Sequence, residues 1–326
     1  MNFDLYKKLH EEGLISDTSL AKVKERHDHP LFSVHWELKT LLYLGVMLLS
    51  SGLGILIYKN IDTIGHQVIL LMIALLSASC FFYCFKRKKT FDREKVKSPD
   101  SFFDYILLLG CLSFVSFLGY LQFQYTVFGD HYGLATLIPM LVLYYVAYQF
   151  DHQGILGLAI TNMAIYMGVA ATPKALLSAG TYDDPSLINV YLLLAIILLA
   201  VAFLSERYNF KKHFKFNYLH FGVHIGFISL LSGYFFHYEQ PSCVLWLLGV
   251  FVLAYLLYLD AVKNKSFYFL LLTILYSYFT ISSLVIRGLD SMRDNDNIIF
   301  GFLYFTLSSI GLVIFLIRLN KKIKEV

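Results

Sequence analysis

Ten apolar runs of roughly membrane-crossing length fill most of this chain, near 38–58, 67–85, 104–125, 133–150, 154–172, 187–204, 218–236, 243–262, 267–286 and 298–317. A helix needs about 20 residues to cross roughly 30 Å of hydrocarbon at 1.5 Å per residue. Leu, Ile, Phe and Ala follow one another in these runs without the period-two alternation of a barrel strand. In lipid, helices are then the way to satisfy the backbone. The expected fold class is all-α, a polytopic helical membrane protein of about ten transmembrane helices. Composition agrees: 57% of residues are apolar and 15% charged, against about 25% charged in soluble domains.

Basic residues orient the expected spans. With the amino terminus inside, the inner segments hold 23 Lys and Arg, and the outer loops hold Lys59, Lys174, Arg287 and Arg293. That asymmetry follows the positive-inside rule, and an even number of spans puts both termini in the cytoplasm. Tyr and Trp near span ends, such as Trp36, Tyr58, Tyr83, Tyr125 and Tyr234, suit interfacial belts. The implied organisation is a cytoplasmic helical hairpin over 1–37, a membrane domain over 38–317 and a basic cytoplasmic tail over 318–326. The first 37 residues lack the apolar core of a signal peptide, so the first run is expected to stay as an anchor. In the hairpin, Leu5 and Leu9 share one helix face, Gly13 suits a helix stop, and Ser16 or Asp17 can cap a second helix carrying Leu20 and Val23.

Three features then coincide: GLIS at 13–16 within the hairpin, LGVMLLSSGLGILI at 44–57, and KNID at 59–62. Over residues 1–85 the chain resembles an uncharacterised family of bacterial predicted membrane proteins defined by a domain of unknown function. In that family a hairpin precedes a Gly-rich first span that ends in an Asn-Trp-Asp-like turn. Asn60 and Asp62 match the turn, with Ile61 at the aromatic position. The resemblance implies a bacterial inner-membrane location and no established activity.

Charge placement narrows the chemistry. No Asp, Glu, Lys or Arg falls in the middle of an expected span, and Asp104, Glu206, Asp260 and Arg287 all sit at edges. Intramembrane ionisable groups are costly and usually functional, so their absence disfavours a carboxylate proton relay. The neutral polar residues within the spans are chiefly Gln122, Gln124, Asn162 and His224. His220 and His224 lie one turn apart on the seventh run, while Gly222, Gly226, Ser229 and Gly233 fall on the opposite side at about 100° per residue. A small-residue stripe admits a close neighbour, and two imidazoles are poor lipid-facing groups. The seventh span is therefore expected at the centre of the bundle, and His220, His224, Asn162 and Gln122 form the candidate pocket.

Other signals are weaker. Cys80, Cys84, Cys111 and Cys243 are scattered through apolar runs, which indicates reduced buried thiols rather than disulfides or zinc. No metal site, cofactor or catalytic residue is assigned, and the net charge of +4 gives no reason to expect a nucleic-acid partner. The run KRKKTFDREKVK at 86–97 fixes topology and can attract anionic lipid, and Pro139 interrupts the fourth span. Acids gather in the outer loops: Asp62, Asp130 beside His131, Asp183 with Asp184, Glu239, and Asp290, Asp294 and Asp296. The expected function is non-catalytic, a carrier of a neutral or lipid-like molecule or a membrane scaffold. Membrane lipids are the expected partners, with a cytosolic or membrane protein docking on residues 1–37. The alternative is an integral-membrane enzyme that uses outer-face acids on a lipid-linked envelope substrate.

Overall fold

The computed structural model of the 326-residue chain describes residues 3–28, 65–129, 131–171, 185–290 and 297–325, with single positions between 41 and 59. Among the described residues the structure is helical throughout, without strands. The chain divides into two compact units, Met1–Val68 and Ile69–Val326. Asn60 and Asp62 lie outside the described residues, as does the expected first span at 38–58 apart from the single positions.

In the first unit, α1 (Phe3–Glu11) and α2 (Asp17–Asp28) pack on each other as an antiparallel hairpin. Gly13 takes a φ of +72°, a left-handed conformation that a side chain would disfavour, and ends the first helix. The Ser16 hydroxyl accepts the Ser19 amide at 3.3 Å, an N-cap for α2. His10 and Asp17 close the turn through a 2.6 Å bond.

The second unit is a bundle of nine long helices among the described residues: α3 (His66–Lys86), α4 (Ser101–Tyr125), α5 (Tyr132–Phe150), α6 (Gln153–Ala171), α7 (Pro185–Arg207), α8 (Lys215–Phe236), α9 (Cys243–Lys263), α10 (Phe267–Asp290) and α11 (Asn297–Glu325). Eight of them are long and apolar enough to cross a membrane. They coincide with all the expected spans except the first and the fifth. The fifth falls on α6, a 19-residue apolar helix outside that group of eight. Pro139 lies within α5, and the helix runs on past it.

From α4 onward chain neighbours pair in series, and α8 departs furthest from that series. It touches α6, α7, α9 and α10, with its broadest contact against α7. Its apolar window is 56% buried, against at most 33% for the other seven membrane-length helices and 0% for α11. The seventh run therefore forms the bundle centre, and α11 lies at its edge. Tyr234, expected in an interfacial belt, is fully buried, because it sits on this central helix with Tyr238 and Phe235 packed around it.

Candidate functional site

The two faces of α8 are filled by unlike neighbours. On the small-residue face, a Cβ at Gly222 would come within 3.3 Å of Leu198 Cβ on α7, and one at Gly233 would overlap the Trp246 ring on α9. These positions work because a missing side chain lets helices approach closely enough for dispersion to hold them without a hydrophobic drive in lipid. On the opposite face both imidazoles meet α10. His220 Nδ1 and the Tyr268 hydroxyl are 2.6 Å apart, and His224 Nδ1 and the Tyr276 hydroxyl 2.8 Å. The two imidazoles pack edge to face at 4.8 Å, and Tyr276 stacks on Phe227 at 4.4 Å. Each histidine thus has a neutral hydroxyl partner. No cluster of three or more His, Cys, Asp or Glu able to hold a metal occurs among the described residues.

Gln122 and Asn162 work elsewhere. The Gln122 amide donates to Gly129 O at 3.1 Å and accepts the Phe128 amide at 2.9 Å, which closes the turn after α4. His220 lies near the start of α8 and Gln122 near the end of α4, and these helices start from the same end of the bundle. The two residues are therefore separated by on the order of 20 Å along it. Asn162 lies about as deep in α6 as His224 in α8, yet its amide donates to Leu158 O of its own helix at 3.0 Å. Among the outer-loop acids, Asp62, Asp130, Asp183, Asp184, Asp294 and Asp296 lie outside the described residues.

The densest polar constellation is one that sequence reasoning did not single out. Asp151 ends α5 in a left-handed conformation (φ +59°), and its carboxylate is 1% exposed. One oxygen accepts from His213 Nε2. The other accepts the Val96 amide at 2.6 Å and lies 3.2 Å from Lys211 Nζ, itself 1% exposed. Lys211 is a second left-handed residue (φ +48°). Its amide donates to Arg93 O at 2.9 Å, its ammonium to Glu94 O at 3.4 Å, and that ammonium lies 4.7 Å from the Phe91 ring. Lys215, alongside, is held by Glu206 at 2.7 Å and Asp260 at 2.8 Å. One end of the bundle therefore gathers the 87–100 strap, the α5–α6 turn, the α7–α8 turn and the last turn of α9. We call it the basic end. The buried charges of Asp151 and Lys211 are tolerable here because each meets opposite charge and a backbone group; a lone one would cost several kcal/mol.

Beside this hub an open cleft of about 460 Å³ is lined by Lys95, Lys97, Asp100, Asp104, His152 and their neighbours. Asp100 caps α4 by accepting the Phe103 amide at 2.6 Å. His152 Nδ1 accepts the Ile155 amide at 3.1 Å and so caps α6 in its unprotonated form. Burial depresses the His152 pKa below the ordinary histidine value, while the nearby Asp104 carboxylate pulls the other way. Asp104 Oδ1 is buried with no hydrogen-bond partner among the described residues. The cleft presents ammonium groups and carboxylates to the same small volume, an arrangement suited to binding a polar or zwitterionic group.

One sequence signal pointed to the hub. Residues 151–154 are the inner segment without Lys or Arg, and they carry an Asp. An anion alone among basic loops is the natural place for those loops to converge.

No curated protein and no solved structure matches the chain. Residues 7–156, which run from α1 into the first turn of α6 and include the strap, Asp151 and His152, match the family described as Predicted membrane protein (DUF2157), a domain of unknown function.

Proposed function

We propose that this protein is a non-catalytic, ten-span scaffold of the bacterial inner membrane with both termini in the cytoplasm. Contacts at the basic end support the span count. Asp151 bonds across to Lys211 and His213, so the α5–α6 and α7–α8 turns share one side. Helices α6 and α7 then make a complete excursion; α6 joins the eight apolar helices as a ninth span, and the run at 38–58 is the tenth. The even number and the basic inner loops together support inward termini. The 1–37 hairpin is the surface for a cytosolic or membrane protein, and lipids are the standing partners of the bundle.

The observation that carries the scaffold over the carrier is that the glycines and histidines of α8 are engaged by neighbouring helices, while a cleft of about 340 Å³ between α7 and α8 has mostly apolar walls, among them Leu187, Ile188, Ile225 and Ile228. The glycine face of α8 is filled by Leu198, Leu199, Leu253 and Trp246, and its histidines are held by Tyr268 and Tyr276. A carrier needs polar groups at mid-bundle that face a cavity open to alternate sides. The test is labelling of reconstituted protein with a membrane-impermeant maleimide, using His224→Cys, Thr273→Cys and the exposed control Lys95→Cys. The scaffold predicts full label at 95 and none above wild type at 224 or 273, from either side of the vesicle. Label at 224 or 273 would revive the carrier.

A further inference from the structure

The strap that crosses the basic end borders a second cleft, of about 470 Å³, unlike the first. Tyr148 of α5, Val201 and Leu204 of α7, Phe210, Arg93 and Tyr208 line it. Val201 and Leu204 lie six and three residues before the end of α7 at Arg207, so they sit roughly 5–9 Å inside it. That depth corresponds to the border between headgroups and acyl chains. Leu204 is 48% exposed and Tyr208 69%, so the slot is accessible from the lipid side.

Arg93 is poised differently from Arg87, the other arginine of the basic run, and from Lys88 and Lys89. Arg87 donates to the Tyr83 hydroxyl at 2.5 Å, Lys88 sits over the Phe85 ring, and Lys89 donates to Lys97 O at 2.7 Å. The Arg93 backbone is pinned by the Lys211 amide, while its guanidinium has no hydrogen-bond or ion-pair partner among the described residues. A fixed backbone under an unengaged guanidinium, beside an apolar slot at headgroup depth, matches an amphiphile with a phosphate at one end. Guanidinium pairs with phosphate through two parallel hydrogen bonds, a geometry an ammonium cannot reproduce.

We infer that this cleft is a specific site for an anionic phospholipid, with the phosphate on Arg93 and the Tyr208 hydroxyl and one acyl chain along Val201 and Leu204. The lipid wedges between α5 and α7, where Tyr148 stacks on Phe210 at 6.0 Å, and couples the membrane to the strap and through it to the Asp151 hub. The inference rests on the membrane-spanning reading, and the experiment separates the two.

The full chain is reconstituted into phosphatidylcholine vesicles with and without phosphatidylglycerol, and lipid retained per protein is counted by native mass spectrometry. The site predicts that phosphatidylglycerol is retained in preference to phosphatidylcholine, and that Arg93→Ala lowers its affinity by about tenfold or more, the scale of charge-assisted hydrogen bonds. Arg93→Lys, which keeps the charge and loses the fork, should still lose severalfold. Leu204→Trp, which fills the slot without touching charge, should lose as much as Arg93→Ala. Lys95→Ala should lose no more than the roughly fivefold effect of any basic residue near an anionic surface. Glycerol phosphate, which has the anion and no chain, should bind far more weakly. Equal losses for Arg93→Ala and Lys95→Ala would overturn the site, as would wild-type retention in Arg93→Lys and Leu204→Trp. Glycerol phosphate binding as well as the lipid would also overturn it. Failure to enter vesicles at all would instead sink the membrane-spanning reading.

Discussion

Histidine is used in two opposite ways within a few turns of one another. At the basic end His213 shares a buried carboxylate with Lys211. Further along α8, the hydrogen-bond partners of His220 and His224 are tyrosine hydroxyls. The difference follows from what surrounds each. At the end of the bundle four chain segments supply backbone donors and opposite charge, so an ion cluster can lose its water and remain satisfied. In the bundle interior an ionised pair would have no such support, and a phenol satisfies an imidazole without introducing charge. The charged region joins segments far apart in sequence; the neutral region joins helices by shape.

Breaking the charged region should have the largest effect. Asp151→Asn leaves Lys211 buried without its counter-ion and should destabilise the bundle by about 3–5 kcal/mol, measured by denaturation in detergent micelles. Asp151→Leu combined with Lys211→Met should be much milder than either single change, because both buried charges leave together. Equal damage from the double and the single variants would mean that the hub holds by packing rather than by charge.

In the neutral region, Gly233→Ala should cost about 1–3 kcal/mol as the added carbon displaces the Trp246 ring. Trp246→Leu in the same chain should recover part of the loss. Smaller still, Tyr276→Phe removes the His224 partner and should cost about 0.5–1.5 kcal/mol. A loss as large as that of Asp151→Asn would erase the contrast between the two regions.

The smallest effect concerns pH. His152 has a lowered pKa in the folded protein, so between that value and the ordinary value near 6.5 the unfolded chain binds more protons than the folded one. Stability should therefore be fully present above about pH 6.5 and fall as the pH drops through the folded pKa. His152→Gln should flatten that slope. Asp104→Asn should steepen it, because the Asp104 carboxylate is the group that favours the imidazolium.

How much of this was legible beforehand depended on whether the cause was local. The helices after the first run follow from runs of apolar residues, and Gly13 and Ser16 punctuate the hairpin because a left-handed turn and an N-cap are one-residue requirements. The centrality of α8 was legible too, since small residues and imidazoles on opposite faces both exclude lipid. The pocket was not: Gln122 and Asn162 looked available as interior polar groups, but each is used by a nearby turn or its own helix. The hub was hidden because Val96, Asp151, Lys211 and His213 are brought together by tertiary packing across more than a hundred residues. The Arg93 cleft is hidden for the same reason, although the composition of the run containing it predicts attraction to anionic lipid. The family resemblance read over 1–85 extends to residue 156 and so takes in the strap and Asp151, but not Lys211 or His213.

The central claim is that charge is buried and neutralised at one end while the glycines and histidines of α8 are packed against neighbouring helices. Hydrogen–deuterium exchange of the protein in lipid, resolved by mass spectrometry, tests both halves in one sample. The account predicts that peptides covering 94–97 and 209–213 exchange more slowly than the 238–242 loop, because the Val96 and Lys211 amides are bonded across the hub. It also predicts that 222–233 stays unexchanged. Exchange of 94–97 at the rate of an open loop would contradict the hub, and rapid exchange within 222–233 would show water at the bundle centre and contradict the scaffold.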